Sequence, residues 1–140
     1  TTLVLTNGDR LAADVVLVSI GAKPDRSLLT ADPPAGVHVC GDVRGPGHWT
    51  SAAHDAVAAA HAILGLEAPA PQPRYAWSDQ FGLRLQLVGE PGRAARVELD
   101  GAESSFTARY RDGEGRLLAV LLANRPDGVA RARRELPLAA

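Results

Sequence analysis

The sequence predicts an α/β segment, with one parallel strand and a long helix, followed by an α+β lobe built on an antiparallel sheet. Three observations carry this reading. The continuous apolar run Val15 to Ile20 is too short for a helix and is ended by Gly21 and Pro24, the pattern of a strand buried on both faces. The Ala-rich stretch from Thr50 to Leu64 follows a Gly/Pro connection and reads as a helix. Beyond a Pro-rich linker at Leu66 to Pro73, Leu83, Leu85 and Leu87 alternate with Arg84 and Gln86 at the period of a strand.

The chain opens on alternating residues before Asn7-Gly8, a pair that tolerates positive φ and signals a hairpin closed by two residues. After the buried strand, Val37 to Cys40 forms a second short apolar segment running into Gly41-Asp42. The helix is expected to be capped by Thr50 or Ser51, with Ala52, Ala53, Val57, Ala60 and Leu64 packing on the sheet. Pro69, Pro71 and Pro73 prevent its continuation, and the second lobe begins near Arg74. There, Arg96 to Leu99 and Ser105 to Arg111 give weaker strand signals. Asp112 to Gly115 turns the chain into an apolar strand, Arg116 to Ala123, and a helix runs from about Pro126 to Leu136 over one face of the sheet.

The chain has 140 residues, 46% hydrophobic and 22% charged, which suits a packed domain or two small lobes and excludes a disordered tail. Its net charge of −1 removes the generic electrostatic case for nucleic acid or anionic membrane. Residues 1–73 carry four basic and seven acidic side chains, and residues 74–140 carry eleven and nine, so the second lobe is the more basic. Cys40 is the single cysteine, which excludes an intrachain disulfide, a dithiol pair and a multi-cysteine zinc site, and fits a reducing cytoplasm. No apolar run is long enough to span a bilayer and no signal peptide opens the chain, so a soluble, cytoplasmic protein is expected. The sequence starts at Thr1 and contains no Met, as expected of a piece of a longer polypeptide.

The strand that ends in Gly41-Asp42 is where chemistry is expected. At the carboxyl edge of a parallel sheet, Gly41 permits close backbone approach and Asp42 accepts hydrogen bonds from ligand hydroxyls. The first turn of the following helix would direct N–H groups at the same ligand. A structural turn and an ordinary capped helix account for the same residues without a ligand. His54 and His61 are two helical turns apart, about 10 Å, too far to share a metal. No metal site, Ser-His-Asp arrangement or paired carboxylate is readable, and no catalytic residue is assigned.

Ala13 to Pro24 (ADVVLVSIGAKP), Val39 to Val43 (VCGDV), His48 to Ala52 (HWTSA), Tyr75 to Gln86 (YAWSDQFGLRLQ) and Ala123 to Pro126 (ANRP) resemble the ferredoxin/rubredoxin reductases. These belong to the FAD-dependent pyridine nucleotide-disulfide oxidoreductase superfamily and serve cytochrome P450 and ring-hydroxylating dioxygenase systems. The resemblance covers nearly the whole chain and identifies it with the C-terminal portion. It implies residues 1–29 as the end of the NAD(P)H-binding domain and crossover, 30–68 as the C-terminal part of the FAD-binding domain, and 69–140 as the α+β reductase domain. It also implies cofactor-binding roles for Gly41, Asp42, Trp49, Thr50 and Trp77. Asp42 matches the aspartate that bonds the FAD ribityl chain, and the Trp49 backbone matches the residue at the flavin pyrimidine edge. Trp77 matches the tryptophan beside the isoalloxazine, near the electron exit to a 2Fe–2S ferredoxin or rubredoxin. Read as a residue alone, Trp77 is a large ring that pins two lobes together. A homodimer is left open.

The chain departs from the family in lacking both Gly-x-Gly-x-x-Gly fingerprints, for FAD pyrophosphate and for NAD(P)H, so a bound cofactor is not expected of these residues alone. Two joins, at Leu29-Thr30 and between Asp42 and Trp49, are short against the family pattern: either the loops are deleted or residues are absent from the sequence, and absent residues are the expectation. A disulfide reductase is excluded by the single cysteine. The alternative to the reductase is a non-catalytic module that docks a redox partner.

Overall fold

A computed structural model describes residues 1–29, 33–45 and 47–136 of the chain. The amino-terminal hairpin forms as the sequence predicts, with β1 (Thr2–Val4) antiparallel to β2 (Arg10–Ala12) and Leu3 opposite Leu11. Its loop is longer than the two residues expected. Leu5 N–H donates to the Asp9 carbonyl at 2.9 Å, leaving Thr6, Asn7 and Gly8 in the turn, with Gly8 at φ 91°. Asn7 Oδ1 accepts the Asp9 N–H at 3.1 Å, which fixes the turn locally.

The buried parallel strand does not form. Val15, Leu17, Val18 and Ile20 are 84, 88, 70 and 89% exposed. Residues 15–20 make no backbone hydrogen bond to another described residue. A parallel strand cannot satisfy its own backbone and needs neighbours from distant sequence, which the described residues do not provide. Val37–Cys40 likewise forms no strand, and Gly41-Asp42 opens a 3₁₀ turn (Gly41–Arg44) where a strand end was expected. The join at Leu29-Thr30 runs into residues outside the described ones, and the second join includes Pro46, which also lies outside them.

Helix α1 (Trp49–Leu64) matches the Ala-rich stretch, but its N-cap is His48, without a side-chain capping bond, where Thr50 or Ser51 was expected. It ends at Gly65 in the left-handed region, and Leu66 N–H closes back on the His61 carbonyl at 2.9 Å.

The second lobe is a five-stranded antiparallel sheet in the order β3 (Tyr75–Gln80), β4 (Leu83–Gly89), β7 (Leu117–Ala123), β6 (Ser105–Arg111), β5 (Arg96–Ala102). Helix α2 (Gly128–Glu135) lies across β4 and β7. No strand was expected at Tyr75 to Gln80, where polar residues weaken the alternation. Tight connections join β3 to β4, β5 to β6 and β6 to β7, so each of these pairs closes locally. The core lies between the sheet and α2, where Val88, Leu117, Val120 and Leu122 pack with Ala132 and Leu136. Gly128 lets the helix approach: a Cβ there would lie 2.8 Å from Leu122 Cδ2. Gln86 and Val88 therefore face the helix, and Leu83, Leu85 and Leu87 occupy the opposite face.

Asp112 holds the β6–β7 turn. Its carboxylate accepts Arg116 Nε at 2.6 Å and the Arg116 and Glu114 backbone N–H groups at 2.9 and 3.0 Å. The Arg116 guanidinium, followed by the backbone bonds, keeps this carboxyl below its ordinary range.

Leu122→Ala is expected to destabilise the lobe by about 2–5 kcal/mol, read by chemical denaturation followed on the sheet signal. A cost under about 1 kcal/mol would contradict the assigned core. Because the folded-state pKa of Asp112 is depressed, its contribution is complete above the unfolded-state value near 4 and is lost as pH falls through the lower folded value. The Tm difference between wild type and Asp112→Asn should therefore be present at about pH 6 and shrink below about pH 4. A difference independent of pH would contradict the carboxylate's role.

Candidate functional site: a cleft and an aromatic cluster between the two halves

The site forms where the first half of the chain meets the edge of the sheet. Tyr75 and Trp77 are two apart on β3 and so share a face. Trp77 pairs with Gln86, which pairs with Leu122, placing both rings on the α2 side of the sheet. The two rings stack at 5.8 Å and 30°. From the first half, His48 and Trp49 set their rings against Trp77 at 5.0 and 5.9 Å, each near-perpendicular at 68°. On the far side, the Arg133 guanidinium of α2 lies 5.3 Å from the Tyr75 ring centre. Gln86 Nε2 donates to the Tyr75 hydroxyl at 2.7 Å.

The Thr50 hydroxyl, in the first turn of α1, donates to the Tyr75 carbonyl and ties the helix to β3. Beside this bond lies a cleft of about 410 Å³ whose lining includes Gly41, Asp42, Thr50, Ser51, Gln72, Arg74 and Tyr75. The loop that carries Asp42 is held from two sides. Arg26 Nε donates to the Val43 carbonyl at 3.0 Å and its terminal nitrogen to the Arg44 carbonyl at 2.5 Å. Arg44 in turn pairs with Asp55 of α1 at 3.0 Å. The carboxylate of Asp42 is exposed and accepts no hydrogen bond from a described residue. Gly47 leaves it room, since a Cβ there would stand 2.9 Å from Asp42 Oδ1. Buried His48 Nδ1 also lacks a hydrogen-bond partner among the described residues.

Gly41, Asp42 and Thr50 thus line one cleft, while Trp49 and Trp77 stand together in the adjoining cluster; Tyr75 belongs to both. Trp77 does join the two halves, as its size suggested. His48, Tyr75, Arg133 and the Arg44–Asp55 pair were given no site role from the sequence. The Tyr-x-Trp spacing was the available signal for Tyr75. The others depend on a tertiary meeting of elements that periodicity does not contain. Chemically, the site offers a free carboxylate acceptor, a helix N-terminus and flat apolar rings, which suits a ligand with hydroxyls and a planar ring system. Among the described residues no group of three or more His, Cys, Asp or Glu could hold a metal, and no helix is long and apolar enough to cross a membrane.

Residues 75–139 match the family described as Reductase C-terminal. The match takes in the whole of the sheet lobe. Over 92% of its length the chain is 32% identical to the ferredoxin reductase component of chlorobenzene dioxygenase from Cupriavidus sp. (strain PS12), covering 38% of that protein. Over 58% of its length it is 37% identical to the 3-phenylpropionate/cinnamic acid dioxygenase ferredoxin–NAD(+) reductase component of Photorhabdus laumondii, covering 23% of it. The crystal structure of the ferredoxin reductase for the CYP199A2 system from Rhodopseudomonas palustris superposes with a TM-score of 0.75 at 26% identity, over 93% of this chain and 39% of that one. The chain therefore corresponds to the C-terminal portion of ferredoxin reductases and spans about two fifths or less of these relatives. The alignment with the Cupriavidus protein runs over 158 positions, more than the 140 residues of the chain, so that relative carries residues this chain lacks.

Both tryptophans of the chain lie in the cluster, so intrinsic fluorescence reports on it directly. Thr50→Val should loosen α1 from β3, at a cost of about 0.5–1.5 kcal/mol for the lost bond, and shift the emission to the red. An unchanged spectrum in the folded variant would show that the rings hold together without the Thr50 bond.

Proposed function

We propose that the chain is the C-terminal portion of an FAD-dependent NAD(P)H:ferredoxin or rubredoxin oxidoreductase, passing electrons from NAD(P)H through FAD to an iron–sulfur protein. The observation that carries this is the meeting of Trp49, Thr50 and Trp77, from separate elements, beside the cleft of Gly41 and Asp42. The relatives' names, as ferredoxin reductase components of dioxygenase systems, support the same reading. In it, residues 1–29 end an NAD(P)H-binding domain, 30–68 complete an FAD-binding domain, and 69–140 form the reductase lobe.

The residues present fit one end of a flavin. Asp42 accepts hydrogen bonds from ribityl hydroxyls, and its lack of a protein partner leaves that capacity free. The start of α1 at Trp49 would offer backbone N–H groups to the polar edge of the ring. The Trp49 and Trp77 rings, 75 and 37% exposed as they stand, would cover apolar surface of the ring and shield it from water. The pyrophosphate end has no matching residues here, since the chain contains no Gly-x-Gly-x-x-Gly. Bound FAD supplies the exchange between a two-electron donor and a one-electron acceptor. Arg133, held over Tyr75, places positive charge next to the aromatic cluster, which favours an acidic iron–sulfur partner approaching from that side. In this reading the rest of the flavin site belongs to a part of the reductase outside these residues.

In the complete reductase, Asp42→Ala should weaken flavin retention by about 10- to 150-fold, corresponding to about 1.5–3 kcal/mol for a bond to a charged acceptor. Flavin absorbance after gel filtration measures it, and full occupancy would reduce Asp42 to a turn residue. Trp77→Ala should slow reduction of a ferredoxin more than it slows flavin reduction by NAD(P)H in stopped flow. Equal losses would indicate a misplaced flavin, and no loss in either would leave Trp77 a packing residue. A reductase that purifies colourless and takes up no flavin would favour a docking module without catalysis.

A further inference from the structure

The tip of the β3–β4 hairpin carries a residue that its own turn does not favour. Gln80 pairs with Leu83, so Phe81 and Gly82 alone make the connection, at φ 50° and 80°. A two-residue hairpin needs positive φ at both positions, which Asn-Gly supplies at little cost and a bulky side chain does not. Phe81 is 104% exposed, more than any other large apolar side chain among the described residues. Its ring therefore gains nothing from the fold that would offset the strain of its backbone.

The strained turn is held from behind by Asn124, itself at φ 51° just after β7. Asn124 Oδ1 accepts the Arg84 N–H at 2.8 Å, and the Asn124 N–H donates to the Arg84 carbonyl at 2.9 Å. Its Nδ2 donates to the Ser104 carbonyl of the β5–β6 turn at 2.8 Å and to the Gly82 carbonyl at 3.4 Å. Strained residues persist where the surrounding structure over-determines them, and they collect at functional sites. An aromatic ring on a turn fixed in this way loses little freedom when a partner covers it. The Asn of the Ala123 to Pro126 segment thereby gains a role that the cleft did not give it.

The position of the ring says what covers it. The first half of the chain meets β3 at Tyr75 and Trp77, about 20 and 13 Å along the strand from Phe81, and leaves the tip bare. A protein that docks on the exposed part of Trp77 leaves a footprint of about 800 Å², roughly 30 Å across, and Phe81 falls within it. Next to the ring, the Asp79 and Arg84 side chains face each other at 4.0 Å, so the rim of this knob is neutral and the contact is one of shape. Steering by charge is left to Arg133. Electron-transfer complexes have small interfaces, in which a few preorganised anchors decide affinity. Resting on the reductase reading above, we propose that Phe81 is an apolar anchor for the iron–sulfur acceptor, contacted together with Trp77.

Phe81→Asn tests this, because it removes the ring and suits the turn. In the 140-residue chain it should raise Tm by about 2–5 °C. The complete reductase is then titrated calorimetrically, at fixed salt, with a 2Fe–2S ferredoxin that the wild type reduces. Phe81→Asn should weaken that binding by about tenfold or more, with flavin absorbance retained, and Phe81→Tyr should bind within about threefold of wild type. Equal binding by Phe81→Asn and wild type would overturn the proposal, as would a loss in Phe81→Tyr as large as in Phe81→Asn. So would a lower Tm of the chain or a loss of flavin from Phe81→Asn, since either would place the ring in a packed contact within the reductase. A wild type that reduces no 2Fe–2S ferredoxin would instead remove the reductase reading, and the anchor with it.

Discussion

Every strand in this chain stands or falls on where its backbone hydrogen bonds find partners. In the second lobe the answer is local. β3 pairs with β4 across the Phe81-Gly82 turn, β5 with β6 across Glu103-Ser104, and β6 with β7 across the Asp112 turn, so most of the ladder is closed by neighbours in sequence. Only the pairing of β4 with β7 joins distant segments, and it runs through the centre of the sheet where α2 covers it. In the first half, beyond the local β1–β2 hairpin, the answer lies elsewhere. Val15–Ile20 has the composition of a parallel strand, and a parallel strand requires crossover connections and flanking strands from other parts of a chain. Without them it stays open, with its apolar side chains in solvent.

This asymmetry explains how the candidate site is built. Its rigid part comes from β3, whose register fixes Tyr75 and Trp77 on one face and whose carbonyl at Tyr75 anchors α1 through Thr50. The Asp42 loop is steadied by the Arg26 and Arg44 contacts and by no sheet. The sheet lobe, which matches the Reductase C-terminal family, thus provides the frame on which the first half is positioned.

The sheet lobe was largely legible because its signals are short-range: the Leu83/Leu85/Leu87 alternation, the Asp-Gly turn and Pro126 ahead of the last helix each act within a few residues. Which face the helix would cover was not legible. Alternation alone cannot say which of two faces is buried, and here the face with Gln86 was chosen because Val88, Val120 and Leu122 line up across it. β3 was hidden because it alternates aromatic with polar and small residues at a sheet edge, where one side needs no hydrophobic partner. Of the site, the Gly-Asp and Trp-Ser-Asp-Gln segments were found by resemblance. The stacking of Arg133 over Tyr75, and the approach of His48 to Trp77, arise only when three separate elements meet.

Native-state amide hydrogen exchange on the 140-residue chain tests most directly whether hydrogen-bond partnership governs this molecule. The amides of β4, β6 and β7 should be the most protected and should exchange together through opening of the whole lobe. Those of Val15–Ile20 should exchange at rates close to an unstructured peptide. Protection of Val15–Ile20 comparable to that of β7 would contradict the account, because it would mean that this segment finds its strand partners within the chain itself.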